Sequence, residues 1–460
     1  MYQSSRHRQC QVIVASAAIT LFLPSAAFAH RPGLGPAPPP RKTTTATRRG
    51  RDTKVIDSGW TFRTDPSNMG DNQGWNKMVP LGAAPIAIPS LWTTAAAPGY
   101  SGVAWYWLEV DAPDKWSGQT VRLRFEAVAD RAVVWVNGQR VGDHQGGATP
   151  FEFNITKALK SGAKNLLAVR ADGDASRGAG MWQGVLLMAS DEAFISDVFP
   201  HGGPLGNLVA EVELTNTSDK SGDCSLDARV IAANAPDKTI KSSSQNLSLT
   251  PSRNLTTMVI NVPKKSLIAW SPDTPALYRV DLSFHQEKDI LDTTETTFGF
   301  RELGWADSAI TINGTAIAPK AIAPEPSQPI VIATEPNRSA ARAMLKKLVD
   351  AHVTVVYLDA PPPALLSLAD ELGLLVIEGA RRRLTPGDAE QELTDLVRRD
   401  RAHPSVIGWN TRDLDAAVAS KIRDLDPTRF VITGTGGQSR LTPPHSESAA
   451  PLPAGLAAAP

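Results

Sequence analysis

The sequence predicts a multidomain β plus α/β protein: a jelly-roll sandwich, an immunoglobulin-like sandwich and an incomplete TIM-barrel-like (βα) domain. Three observations carry this. Short apolar runs separated by turn residues fill the chain to about residue 304. Beyond Trp305 strand-like and helix-like runs alternate. The length of 460 residues, with 42% hydrophobic and 20% charged residues, allows about two to four domains with cores of their own.

The first residues form a separate segment. Arg6 and Arg8 precede the apolar run QVIVASAAITLFLPSAAFA, which ends in the triplet Ala27-Phe28-Ala29. A basic start, a short apolar stretch and small residues at its end are the marks of a cleaved export signal over residues 1–29. The mature protein is expected to begin at His30 and to be secreted or periplasmic. The run is short for a membrane span, and no later segment reaches about 18 apolar residues. Cys10 lies in the leader, which leaves Cys224 with no partner for an intramolecular disulfide. Residues 30–54, basic and rich in Pro and Thr, have no apolar periodicity and read as a disordered linker.

Residues 55–192 carry the first β domain. AWYWLEVDA, TVRLRFEAV, AVVWVNGQRVG and NLLAVRADG run apolar or alternate, with Asn137-Gly138 and Gly146-Gly147 as turns. No helix-length amphipathic stretch interrupts them, so a sandwich or jelly roll results. Residues 193–304 repeat the pattern with LVAEVELTNTS, CSLDARVIAA, TTMVINVP and LYRVDLSF, of a size that suits an immunoglobulin-like sandwich. In residues 305–437 PIVIATEP, VTVVYLDA, LLVIEGA, SVIGWN and RFVITGTGG read as strands. Between them stand NRSAARAMLKKLVDAH, PALLSLADELG, DAEQELTDLVRRDRAH and DLDAAVASKIRDLD as helices. This is the signature of a parallel sheet with crossover helices, and about five strands fall short of the eight that close a barrel. Residues 438–460 read as a disordered tail.

A formal net charge of zero gives no electrostatic reason to expect nucleic acid. Eleven Trp against five Tyr in a strand-rich, exported chain suits carbohydrate, since an indole face stacks on the C–H face of a pyranose, although most such rings serve as sandwich core. His403 has no other His or Cys at ligand spacing, so no metal site and no cofactor are expected.

The run YSGVAWYWLEVDAPDKWSGQTVRLRFEAVADRAVVWVNGQRVGDHQGGATPFEFNITKALKSGAKNLLAVRADGD resembles the N-terminal sugar-binding domain of glycoside hydrolase family 2, the family of β-galactosidases, β-glucuronidases and β-mannosidases. GAGMWQGVLL is similar to the strand that closes that domain. WSPDTPALYRVDL and TFGFRELGW are similar to the end of the family's immunoglobulin-like domain and its junction with the catalytic barrel. The resemblance covers most of residues 55–435. It implies a retaining mechanism that needs two carboxyls about 5 Å apart, one protonated and one charged.

The resemblance also shows where the chain departs from the family. The acid/base Glu ends the fourth barrel strand after an Asn, in a run matched here by Arg399-Asp400-Arg401, His403-Pro404-Ser405 and Trp409. Counting on, Asp413 takes the Asn place and Leu414 the Glu place. Leucine neither donates nor accepts a proton. The family nucleophile belongs to the seventh strand, beyond the five read here. Glu378 matches a carboxylate that the family often keeps at the third strand's end.

Glu378, Asp413 and Asp415 are therefore the candidates for a relocated acid and base or for a cation or sugar-hydroxyl contact, with a helix cap the alternative for Asp413 and a polar network that for Glu378. For carbohydrate binding the candidates are Trp92 and Tyr100, which flank TTAAAPG, then Trp182 beside the Gly-rich RGAG, and Asp172 and Asp174 in RADGD. Trp105 and Trp107 share one strand face and read as core. The expected function is that of an exported, catalytically inactive relative with a carbohydrate-binding or envelope-polysaccharide-accessory role. An active retaining hydrolase with relocated carboxylates is one alternative. The other is a scaffold that docks a protein partner through the half-barrel, on a sheet edge left open after RFVITGTGG.

Overall fold

The computed structural model of the chain describes residues 50–322, 338–382, 384–412, 414–434, 439–446, 450, 451, 453 and 456. The leader, most of the linker and the expected strand PIVIATEP lie outside the described residues. The linker expectation ran too far at its end. Asp52–Val55 is a strand paired with Val185–Ser190, and the Arg51 guanidinium holds Asp292 at 2.6 Å.

The first sandwich has two antiparallel sheets. The smaller orders Asp52–Val55, Val185–Ser190, Thr120–Phe125 and Phe151–Asn154. In the larger, Gly102–Asp111 and Lys164–Gly173 lie at the centre, flanked by Thr61–Thr64 and Arg131–Val136. Strand alternation sorts the side chains. Tyr106, Leu108 and Val110 face the core between the sheets. Trp105 and Trp107 face away, yet they too are buried, because Trp75 covers them in a second cluster with Trp135. The Trp105 and Trp135 rings stack with centroids 5.1 Å apart.

The second sandwich sets Ala193–Gly202, Asn207–Asn216 and Ser252–Asn261 against Thr239–Leu249, Gly222–Ala232, Tyr278–Gln286 and Asp289–Phe298. These are the sheets of an immunoglobulin-like fold. Cys224 is buried in its core as a free thiol.

The third domain is a curled half-barrel sheet. Ala321–Ile322, Val355–Asp359, Leu375–Gly379, Val406–Arg412 and Phe430–Thr433 run parallel. The helices Arg338–Asp350, Pro363–Leu372, Pro386–Asp400 and Ala416–Leu425 pack on one face through Val356, Val376, Val406, Trp409 and Val431. The alternate residues Val355, Leu375, Ile377, Phe430 and Ile432 face the other way, where Trp270, Ile310, Ile312, Leu441 and Leu456 cover them.

Leu441 and Leu456 correct the expectation of a disordered tail. Arg440–Thr442 pairs antiparallel with Phe430–Thr433, Ala450–Pro451 pairs with it in turn, and the Tyr357 hydroxyl donates to the Leu456 carbonyl at 3.2 Å. The sheet edge expected to be open after RFVITGTGG is thus occupied. Its backbone N–H and C=O groups find partners within the chain, which removes the observation behind a docking edge there.

Gly373 shows how the half-barrel is joined to the second sandwich. It ends the helix Pro363–Leu372 in the left-handed conformation at φ +71°, with a Cβ position that falls on the Pro272 carbonyl. Gly373→Ala is expected to destabilise the folded chain by ~2 kcal/mol or more, from left-handed strain and the collision together. Denaturant unfolding of the two proteins checks this.

Candidate functional site

The C-terminal ends of the parallel strands meet the first sandwich, and a few side chains make the joint. Trp182 is buried between the two, among Ala127, Ala129, Ala148, Ala360 and Leu396, and its indole N–H donates to the Gly147 carbonyl at 2.7 Å. Arg399, in the last turn of Pro386–Asp400, holds both oxygens of Asp400. It also donates to the Ala148 carbonyl and to the Pro361 carbonyl, each at 2.6 Å. Arg381, just past the strand Leu375–Gly379, bridges Asp130 of the sandwich and Glu392 of the helix, both at 2.9 Å. Between these groups lies a crevice of about 180 Å³, lined by Asp130, Gln145, Gly146, Arg381, Thr385 and Glu392 among others.

Beside it the strand ends carry a second charged group. Asp359, last residue of its strand, is paired with Arg412 and accepts from Arg382 Nε at 3.0 Å. Arg412 also donates to the Ala380 carbonyl at 2.5 Å. Asp359, Arg381, Arg382 and Arg412 were not among the expected site residues. The signals were present: the run Arg381-Arg382-Arg383 directly after a strand, and an Asp closing YLD.

The expected catalytic candidates are distributed otherwise. Glu378 is fully buried and shares the register of Trp409, whose side chain faces the helices, so the carboxyl points into the helix layer and not towards the crevice. The Asp400 carboxylate stands within hydrogen-bond reach of it, and Arg399 stands 3.8 Å away. Burial first, and then the neighbouring Asp400 carboxylate, push Glu378 well above the usual carboxylate range. It is a neutral, enclosed acid, turned away from the crevice where a relocated acid or base would have to stand. Leu414 is half-buried against the apolar cluster between sheet and helices, with its N–H donating to the Thr411 carbonyl at 3.0 Å. The helix cap expected of Asp413 is made by Asp415, whose carboxylate accepts from the Val418 N–H at 3.0 Å. Asp413 itself lies outside the described residues. His403 bonds Asp370 at 2.5 Å.

The carbohydrate candidates of the first sandwich are engaged in the fold. Trp92 is 0% exposed, packed at a tilt against Phe62 and Tyr106, with its N–H on the Tyr100 carbonyl at 3.0 Å. Tyr100 packs on the same core and donates to the Val103 carbonyl at 2.7 Å. A stacking platform needs a free ring face, and neither Trp92 nor Trp182 has one, which corrects both expectations. Asp172 is paired with Arg170 at 2.8 Å. Asp174 accepts from the Ser176 N–H at 2.9 Å at the start of a short 3₁₀ turn.

With this geometry in hand, the chain was compared with known proteins. Residues 93–183 match the family described as Glycosyl hydrolases family 2, sugar binding domain, and residues 195–301 match Glycosyl hydrolases family 2. A β-galactosidase of Thermoanaerobacter pseudethanolicus is 28% identical over 68% of this chain and 45% of its own length. A putative β-glucuronidase of Formosa agariphila is 26% identical over 73% of this chain and 34% of its own. The chain thus spans half or less of the length of these curated relatives. In structure, a glycosyl hydrolase family 2 member from Bacteroides cellulosilyticus superposes with a TM-score of 0.72 at 24% identity, over 83% of this chain and 57% of that one. Bacteroides uniformis β-glucuronidase 2 does so with a TM-score of 0.70 at 20% identity, over 84% and 53%. These superpositions share the fold.

The buried state of Glu378 makes a testable statement. The unfolded chain releases this proton near pH 4.3, while the folded chain keeps it, so folding loses stability as pH rises above that value towards the raised folded pKa. Glu378→Gln removes the loss. The variant is expected to match the wild type near pH 4 and to be the more stable of the two at pH 8, measured by denaturant unfolding across that range.

Proposed function

Starting from a glycoside hydrolase family 2-like protein, we propose that the chain binds carbohydrate without hydrolysing it. The observation that carries this reading is Leu414. At the place where the resemblance puts the acid/base carboxyl, an alkyl side chain packs into the helix layer. A general acid must reach the leaving oxygen and hold its proton near working pH. Asp359, at a neighbouring strand end, is tied to two guanidinium groups. Glu378 holds a proton but is sealed from solvent. Neither is placed to protonate a leaving group in the crevice.

Binding draws on different groups. The crevice presents carboxylate, amide and guanidinium groups from both the sandwich and the half-barrel, and planar polar groups of this kind hydrogen-bond vicinal sugar hydroxyls. With Trp92 and Trp182 buried, this polar wall replaces an aromatic platform as the contact surface. We place the binding outside the cytoplasm, on the leader-like residues 1–29, in service of an extracellular or envelope polysaccharide.

Titration of the full chain with a series of β-linked oligosaccharides by calorimetry tests this. Saturable binding is expected, weakened at least ~10-fold, about 1.4 kcal/mol, in Gln145→Ala and Gln145→Lys, at an exposed residue of the crevice wall, with unfolding midpoints unchanged. No affinity for any glycan in the series, or affinity indifferent to both substitutions, would sink the proposal.

A further inference from the structure

A cavity of about 370 Å³ lies at the opposite end of the half-barrel, where the strands begin and the second sandwich docks. Its walls include Arg301, Arg429, His201, His445, Thr428 and Glu302. Arg301 follows the last strand of the sandwich, and Arg429 precedes the strand Phe430–Thr433.

Both guanidinium groups donate to one acceptor, the Val406 carbonyl, from Arg301 Nη2 at 2.6 Å and from Arg429 Nε at 3.0 Å. Two cations are therefore held side by side in a buried place. Arg429 has a counterion in Asp426 at 3.0 Å, with its side chain 4% exposed. Arg301, 9% exposed, has none within ion-pair distance among the described residues. Its other acceptor is the Pro404 carbonyl at 2.6 Å, and its Nη1 makes no hydrogen bond among those residues. The nearby acids are taken: Asp370 by His403 and the Ser405 N–H, Asp426 by Arg429, Thr428 and Trp409. Of the wall residues named, the acid is Glu302, and it is exposed. Burial, then the Arg429 charge, push Arg301 well below its ordinary range.

A buried cation without an anion is unfavourable by several kcal/mol, and a guanidinium fork with free N–H groups fits an oxyanion. We propose that this cavity is a binding site for a small oxyanion, a phosphate, sulfate or carboxylate group, on a ligand no larger than a monosaccharide. The volume is at the lower end of small-molecule pockets. The Arg301 Nη1 and the His445 imidazole supply the donors, the His201 Nε2 facing Glu211 at 3.4 Å instead, and the site is separate from the crevice at the strand C-termini.

The test is calorimetric titration of the full chain with inorganic phosphate, inorganic sulfate and glucuronate, at matched ionic strength in chloride, with glucose as the uncharged control. Saturable binding of at least one anion, with no heat from glucose, is expected. Tighter binding of glucuronate than of phosphate assigns the oxyanion to a sugar acid, and the reverse order assigns it to a free anion. His445→Glu places a negative charge on the exposed wall and is expected to weaken binding at least ~10-fold while the unfolding midpoint in chloride stays unchanged. Arg301→Gln is expected to abolish it. If none of the three anions binds saturably, or binding survives undiminished in His445→Glu, the proposal is overturned.

Discussion

The Arg399 guanidinium sets the geometry on which the candidate face depends. One side chain reaches a carbonyl of the first sandwich, a carbonyl of the loop after the second parallel strand and both oxygens of Asp400. A buried cation so fully satisfied repays its desolvation, and removing it would leave Asp400, itself 0% exposed, unpaired. Its charge is spent on Asp400. Glu378, 3.8 Å away, is left as the neutral member of the group. Arg381 acts in the same way at the rim, binding Asp130 and Glu392. The interactions that hold sandwich and half-barrel together thus engage Asp130, Glu392 and Asp400 in ion pairs.

Much of the fold was legible because it rests on local periodicity. Alternating runs divided by Asn-Gly and Gly-Gly turns mark the sandwiches, and the strand–helix alternation after Trp305 marks the parallel sheet. Burial in irregular segments was not legible. Trp92 and Trp182 stand in short elements with no period to show which way a ring turns, and contacts distant in the chain enclosed both. The strand Arg440–Thr442 is three residues within a Pro- and Ala-rich stretch, too short for a pattern. Its partner, not its own sequence, makes it a strand.

The candidate site was legible in part. The resemblance located the run through Trp409 that forms the strand Val406–Arg412, and Asp415 rather than Asp413 proved to cap the next helix. Glu378 was placed at the correct strand end but its face was not legible, since a parallel strand buried on both sides does not reveal which residue faces the helices. The Asp359, Arg382 and Arg412 group comes from three separate strand ends. Only the register of the sheet brings them together.

The central claim is that the Leu414 position leaves this face without a general acid. It is tested most directly by hydrolysis rates of the full chain on a panel of aryl β- and α-glycosides, with Asp413→Asn alongside. Release no faster than in buffer, for both proteins, is the predicted result. Turnover by the wild type that disappears in Asp413→Asn would reveal a relocated acid and contradict the account.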